Sequence, residues 1–148
     1  MAANTAPIFP LTPYAAVANL SAQTACTTRA PTAIASLAAA NIIPLVPASS
    51  VNGRKIDTIR VKASSTSMTA TTAAALIGIW YSDGTTATLQ YEIPVDAVVP
   101  STTSSAFERE INIPNLTLPA AHALYVSTTV TTTAATTALV VKASGGDY

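Results

Sequence analysis

The sequence predicts an all-β chain, a single-domain β-sandwich of jelly-roll type that follows an extended, proline-rich N-terminal arm. From about residue 32 onward, short stretches rich in Thr, Val and Ile alternate with Gly, Pro, Asn and Asp. About seven to nine such stretches in one domain are typical of a sandwich or jelly roll. The expected divisions are an arm at 1–14, the sandwich at 15–143 and a C-terminal tail at 144–148.

The arm combines prolines with apolar side chains. Pro7, Pro10 and Pro13 fix φ and lack a donor, which favours an extended, polyproline-like conformation. A segment of this kind cannot bury its apolar side chains alone, so we expect it to dock on its own domain or on a neighbouring subunit. The docking side chains are expected to be Ile8, Phe9, Leu11 and Tyr14.

The next segment leaves two interpretations open. Ser36 to Ile43 contains an alanine cluster that favours a helical turn or two. Pro44 and Pro47 would end such a helix, and the residues around them suit an edge strand equally well.

A turn and a half-buried strand come next. Asn52-Gly53 is a turn dipeptide, because both residues tolerate positive φ. It introduces a strand at 56–63 in which apolar and basic side chains alternate, as expected for a sheet with one wet face. The alternating residues are Ile59, Arg60, Val61 and Lys62.

The strongest local signal is a hairpin. Two β-rich runs, at 74–81 and 86–95, flank a glycine-containing turn at Ser82 to Thr85. The second run predicts one buried and one wet face. The expected buried face carries Leu89, Tyr91, Ile93 and Val95, and the wet face carries Gln90 and Glu92.

Three further strands are expected. Phe107, Ile111 and Ile113 alternate with Glu108, Glu110 and Asn112. After a short stretch at 116–118 and a turn around His122, strands are predicted at 124–130 and 139–143.

Low charge is the most unusual property of the composition. Charged residues make up 9% of the 148 residues, and seven basic and seven acidic side chains give a formal net charge of zero. A soluble monomer usually carries more charge, so we expect much of this surface to be covered by protein.

The longest apolar run, Ala73 to Tyr81, is nine residues, whereas a membrane-spanning helix needs roughly 20. No membrane association is expected.

No secretory leader is recognisable, because the first basic residue is Arg29 and prolines interrupt any apolar core. The single cysteine, Cys26, excludes an internal disulfide, which agrees with folding in a cytoplasm. Cys26 is interpreted as a small buried filler.

Catalytic and metal-binding patterns are not found in the sequence. His122 has no second His or Cys nearby, so a structural role is favoured. Glu108 and Glu110 could serve as paired carboxylates, but a solvated strand rim is favoured. We therefore expect no enzyme, no cofactor and no metal.

Two groups suggest binding. Arg54, Lys55, Arg60 and Lys62 form the densest charge cluster, which is interpreted as a solvated face or a contact with an acidic partner surface. Nucleic acid is not expected, because the chain has no basic excess.

A group of aromatic residues could stack on a sugar ring, although core packing is favoured. It comprises Trp80, Tyr81 and Tyr91.

With these residues in hand, the chain resembles the small decoration or cement proteins on the heads of tailed bacteriophages. The features are APIFPLTP, NGRKIDTIRVKAS, ALIGIWYSDGT with LQYEIPV, LPAAHALYVS and the closing GGDY. The resemblance implies a β-sandwich made in the host cytoplasm that joins the virion surface as a homo-oligomer, with a trimer favoured. It also implies contact with the major capsid protein, and it brings no catalytic residues. A tail or fibre component, or a glycan- or receptor-binding module, is the alternative.

Overall fold

The computed structural model describes residues 12–36, 41–49, 53–64, 71–133 and 138–148. Within these ranges the chain forms nine β-strands and a single-turn 3-10 helix at Ile34–Ser36, and no α-helix. The all-β prediction is confirmed. The strands are β1 (Thr12–Leu20), β2 (Thr32–Ala33), β3 (Ile42–Val46), β4 (Arg54–Ala63), β5 (Ala75–Ser82), β6 (Thr86–Val95), β7 (Glu108–Leu118), β8 (Ala123–Thr128) and β9 (Leu139–Asp147).

The strands form two antiparallel sheets that pack as a sandwich. Sheet 1 has the order β1-β9-β4-β7, and sheet 2 has the order β2-β6-β5-β8-β3. Alternate residues of the central strands enter the main core between the sheets. Full burial of each large aliphatic side chain contributes about 1.5–3 kcal/mol. The fully buried core residues include Leu20, Ile56, Ile59, Val61 and Val141 of sheet 1, and Ile77, Ile79, Leu124 and Val126 of sheet 2.

Both expected domain boundaries fall inside strands. β1 begins at Thr12 and pairs with β9, and the half-buried Tyr14 packs against the main core. At the other end, Ser144 to Asp147 continue β9 and pair with both β1 and β4. Pairing and core contact therefore extend the sheet beyond residues 15–143 at each end. Ile8, Phe9 and Leu11 lie outside the described residues, so the arm stays a prediction.

The segment left open between helix and strand contains a strand. Ile42–Val46 forms β3 at the edge of sheet 2, paired with β8. Pro44 is tolerated there because an edge strand has one side without a ladder partner. Residues 37–40 of the alanine cluster lie outside the described residues.

A β-bulge corrects the predicted faces of β6. Tyr91 lies opposite Ile79, but Leu89 lies opposite Trp80, so Gln90 is the extra residue. One extra residue moves the side chains that precede it to the other face of the sheet. Leu89 therefore packs with Trp80 outside the main core, whereas Ile93 is buried inside it, and the prediction of a shared face is wrong for Leu89.

The β5–β6 hairpin is confirmed, and Asp83 organises its turn. Asp83 Oδ1 accepts hydrogen bonds from the backbone N–H groups of Thr85 and Thr86, both at 2.8 Å. Gly84 has φ of 93°, a conformation that favours glycine. Aspartate is common in such turns because its short carboxylate accepts bonds from nearby backbone N–H groups.

This turn predicts a stability difference that disappears in acid. The bonds from Thr86 and Thr85 hold the pKa of Asp83 below its ordinary value. The carboxylate therefore stabilises the fold above the unfolded pKa, near 4, and this contribution is lost as the pH falls through the folded pKa. We expect Asp83→Ala to lower the thermal midpoint at pH 7, and the gap to wild type to narrow as the pH falls below about 4. Asp83→Asn, which keeps an acceptor oxygen, should retain most of the midpoint at pH 7. An Asp83→Ala gap that does not change with pH would contradict this assignment.

Candidate functional site

A crossover segment, residues 23–29, lies against the outer face of sheet 2. The backbone N–H of Cys26 donates to the Thr128 carbonyl at 2.8 Å, and that of Thr132 donates to the Gln23 carbonyl at 2.9 Å. At the far end of the segment, Arg29 Nε lies 2.8 Å from a carboxylate oxygen of Glu92 on β6. These contacts fasten the connection between β1 and β2 across the sheet.

A pocket of about 270 Å³ opens between the crossover segment and sheet 2. This volume is close to the lower end of the range for small-molecule sites. Gly78 lines this pocket and has no side chain to fill it. A Cβ at this position would lie 2.7 Å from Ser127 Oγ and 3.1 Å from Leu89 Cδ1. The lining residues are Cys26, Thr27, Thr28 and Arg29 from the segment, and Leu76, Gly78, Trp80, Leu89, Glu92, Ser127 and Thr129 from the sheet side.

Trp80 forms the centre of a second, smaller core beside this pocket. Its side chain is 1% exposed, and its Nε1–H donates to Ser127 Oγ at 2.9 Å. Cys26, Ile42 and Ala87 are buried in the same cluster. The interpretation of Cys26 as a buried filler is confirmed.

The three aromatic residues considered for sugar binding do not share a surface. Tyr81 follows Trp80 on the strand, so it faces the opposite side of the sheet and packs against the main core. Its hydroxyl makes a hydrogen bond with Nδ1 of His122, with ring centroids 5.2 Å apart. Tyr91 lies opposite Ile79 rather than Trp80 and is 38% exposed. Core packing is confirmed for Trp80, and a joint aromatic platform is wrong.

Arg54 and Tyr14 belong to one internal cluster rather than to an open face. The Arg54 guanidinium lies 4.2 Å from the centre of the Tyr14 ring, and its Nε lies 2.7 Å from Asp147 Oδ1. A further N–H of Arg54 donates to the Pro47 carbonyl. The Arg54 side chain is only 15% exposed. Burial also raises the pKa of the Tyr14 phenol. The cluster joins the start of β1, the start of β4 and the end of β9.

The other predicted basic residues lie near carboxylates on sheet 1. Lys55 Nζ is 2.6 Å from a carboxylate oxygen of Asp57 on the same strand. On the exposed outer face, Arg60 and Lys62 both approach Glu108 of β7, with the Lys62 contact at 3.8 Å. Cross-strand pairs of opposite charge fit the interpretation of a solvated face.

Ion pairing extends to most of the charged residues. Six of the seven basic side chains lie within 4.0 Å of a carboxylate of the same chain. The pairs are Arg29–Glu92, Arg54–Asp147, Lys55–Asp57, Arg60–Glu108, Lys62–Glu108 and Arg109–Asp96. Basic and acidic groups are thus interleaved, so they form no broad patch of one sign.

Metal-binding clusters and membrane-spanning helices are both absent from the described ranges. There, no group of three or more His, Cys, Asp or Glu side chains could hold a metal ion. Nor does any helix in those ranges have the length and apolarity to cross a membrane.

The pocket under the crossover segment could not be found from the sequence. Residues 23–29, QTACTTR, show neither helical nor strand periodicity. Their contacts with Thr128, Thr132 and Glu92 join positions more than 60 residues apart. Only tertiary structure brings these residues together.

Similarity to known proteins adds nothing to the description of this site. The chain matches no protein-family model, no curated protein and no solved structure.

Proposed function

We propose that this chain is a structural virion protein that decorates or cements a bacteriophage capsid. It would do so through contacts with copies of itself and with the major capsid protein, at the capsid surface. The observation that carries the proposal is the scarcity of free charge, since six of seven basic side chains are paired internally. A surface built largely of Ala, Thr and Ser carries little charge that would keep copies apart. The free-energy cost of removing it from water in a protein contact is also low.

We further propose that the sandwich is a jelly roll. Strand pairing is nested: β5 pairs with β6, β4 with β7, β3 with β8 and β1 with β9. A long antiparallel hairpin that wraps into two four-stranded sheets has this pairing, and β2 is a short addition at one edge. Jelly rolls form many viral capsid domains and also lectin domains, so the topology supports the proposal by analogy of fold.

The proposed capsid-facing residues fall into two groups. Arg60 and Lys62 lie on the exposed outer face of sheet 1, where an acidic partner surface could compete for them with Glu108. Ile8, Phe9 and Leu11 remain the proposed docking side chains of the arm. Arg54 and Tyr14 are better assigned to holding the ends of sheet 1 together.

Co-sedimentation with capsids of a phage that encodes the chain tests this function. We expect saturable binding at a fixed number of copies per capsid. Deleting residues 1–11, or replacing Arg60 and Lys62 with Glu, should weaken binding about tenfold or more without unfolding the sandwich. Arg29→Glu is the matched control, because Arg29 lies on the crossover segment, against sheet 2 rather than sheet 1. A protein that stays in the supernatant with heads and with complete particles would exclude the proposal, whereas binding to tails alone would support the tail alternative.

A glycan- or receptor-binding module is the second candidate, favoured by the pocket on sheet 2. Because the Trp80 ring is covered, a sugar there would meet Thr27, Thr28, Arg29 and Glu92 instead. Chemical-shift changes confined to Thr27 and Thr28 amides during titration with free sugars would support this candidate. Unchanged shifts at millimolar sugar would exclude it.

A further inference from the structure

The sheet edges differ in how well they are protected against pairing with another strand. Natural sheets block their edges with short strands, charges, prolines or bulges. β2 has two residues, and the part of β6 that it leaves unpaired carries a bulge, Glu92 and Pro94. β3 contains Pro44 and a register shift. β7 carries Glu108, Arg109 and Glu110, followed by Pro114 and by Asn115 at φ of 66°. Three of the four edges in the described structure are therefore blocked.

β1 is the exception. It has nine residues, TPYAAVANL, without a charged side chain, and its register with β9 is unbroken. Its outward-facing side chains include Val17, which is 62% exposed. Among the described strands, none pairs with its outer edge. Pro13, near the start, is its only blocking residue.

We propose that β1 pairs antiparallel with β1 of a second copy, joining two four-stranded sheets into one of eight strands. If two copies meet through sheet edges, both must use β1, because the other edges in the described structure are blocked. Closed pairs of identical chains are usually twofold symmetric, and an antiparallel ladder of identical strands has this symmetry. The absence of charge also means that identical strands meet without repulsion. This proposal does not depend on capsid binding, and it differs from the threefold assembly that the resemblance implies.

Pro13 also indicates the register. A proline in an edge strand turns its missing N–H toward the open side. Alternate residues share that direction, so Ala15, Val17 and Asn19 would present their backbone groups to the second copy. A twofold axis at Val17 pairs Ala15 of one copy with Asn19 of the other and leaves Pro13 outside the hydrogen-bonded ladder. This register also places the exposed Val17 side chain of one copy against Val17 of the other copy.

Val17→Glu tests the pairing without an obvious cost to the fold. Val17 lies opposite Lys142 on β9, so the new carboxylate gains a partner within its own chain. Across the proposed axis, however, two glutamates would face each other, and like charges directly opposite are destabilising. Val99→Glu is the matched control, because Val99 is 75% exposed and lies outside the strands. In sedimentation velocity, we expect dimers for wild type and Val99→Glu, and a dissociation constant at least about tenfold higher for Val17→Glu.

A distance measurement tests the geometry of the dimer. The row Val17, Lys142, Arg60, Glu110 crosses sheet 1 from β1 to β7. With strands about 4.8 Å apart, backbones at Lys142 of the two copies should be about 14 Å apart, and those at Glu110 about 34 Å apart. Spin labels at Lys142→Cys and, separately, at Glu110→Cys, each with Cys26→Ala, measure these separations. A monomeric wild type, equal dimerisation of the two glutamate variants, or a Glu110 distance shorter than the Lys142 distance would each overturn the proposal.

Discussion

Replacing Trp80 with alanine is expected to lower the free energy of unfolding by about 3–5 kcal/mol. The side chain is 1% exposed and packs with Cys26, Ile42 and Ala87 beneath the crossover segment. Its loss removes the largest side chain of this second core and leaves a cavity that the crossover segment cannot fill completely. The hydrogen bond to Ser127 Oγ is lost as well. Chemical denaturation followed by far-UV circular dichroism measures the change.

Two variants separate the contributions to this effect. Trp80→Phe keeps most of the buried ring but removes the Nε1–H, so its cost should be smaller than that of alanine. Tyr91→Ala changes an aromatic residue that is 38% exposed, and its cost should stay below about 1 kcal/mol. Hydrogen exchange at the Cys26 amide, which donates to Thr128, should accelerate in Trp80→Ala. If Trp80→Ala were as stable as Tyr91→Ala, the burial of Trp80 would not hold the second core together.

Gly145→Ala is the second change with a large expected effect. A Cβ at this position would lie 1.8 Å from the Lys55 carbonyl oxygen and 2.9 Å from Ile56 Cα. Both are backbone atoms of β4, next to the register shift between Ile56 and Thr58, so no side-chain rotation relieves the clash. The central pair of sheet 1 must separate locally, and we expect a loss of about 3 kcal/mol or more.

Ser144→Ala is the matched control for Gly145→Ala. Ser144 precedes the glycine on β9 and already has a Cβ, so alanine removes only a hydroxyl. We expect a change within about 0.5 kcal/mol. Thermal midpoints of both variants, with amide exchange of β4 and β9, provide the comparison. Equal stability of Gly145→Ala and wild type would mean that β4 and β9 approach each other less closely at Gly145.

Local patterns predicted much of the fold because local chemistry determines those features. Alternation at Ile59 and Val61 reflects a strand with one buried face. The hairpin depends on Asp83 and Gly84, whose side-chain acceptor and positive φ act within a few residues. The sequence does not reveal the bulge at Gln90, because an extra residue is defined only against the partner strand.

The candidate site was harder to predict than the fold. Arg54 is indistinguishable from Arg60 as a basic residue in one strand, yet Arg54 is covered by Tyr14 and Asp147, whereas Arg60 is exposed. The difference comes from which strand ends meet in sheet 1. Similarly, the pocket depends on residues 23–29 crossing a sheet whose strands come much later in the chain.

The sequence by itself determined the β class, the turn of the β5–β6 hairpin, the low charge and the absence of a local catalytic motif. These properties follow from composition and from contacts between near neighbours. The tertiary structure alone decided the nested strand order, the pairing of charges, the burial of Trp80 and, among the described strands, the unpaired outer edge of β1. Each of these depends on the contacts of strands far apart in the chain, which the residue pattern of any one segment does not encode.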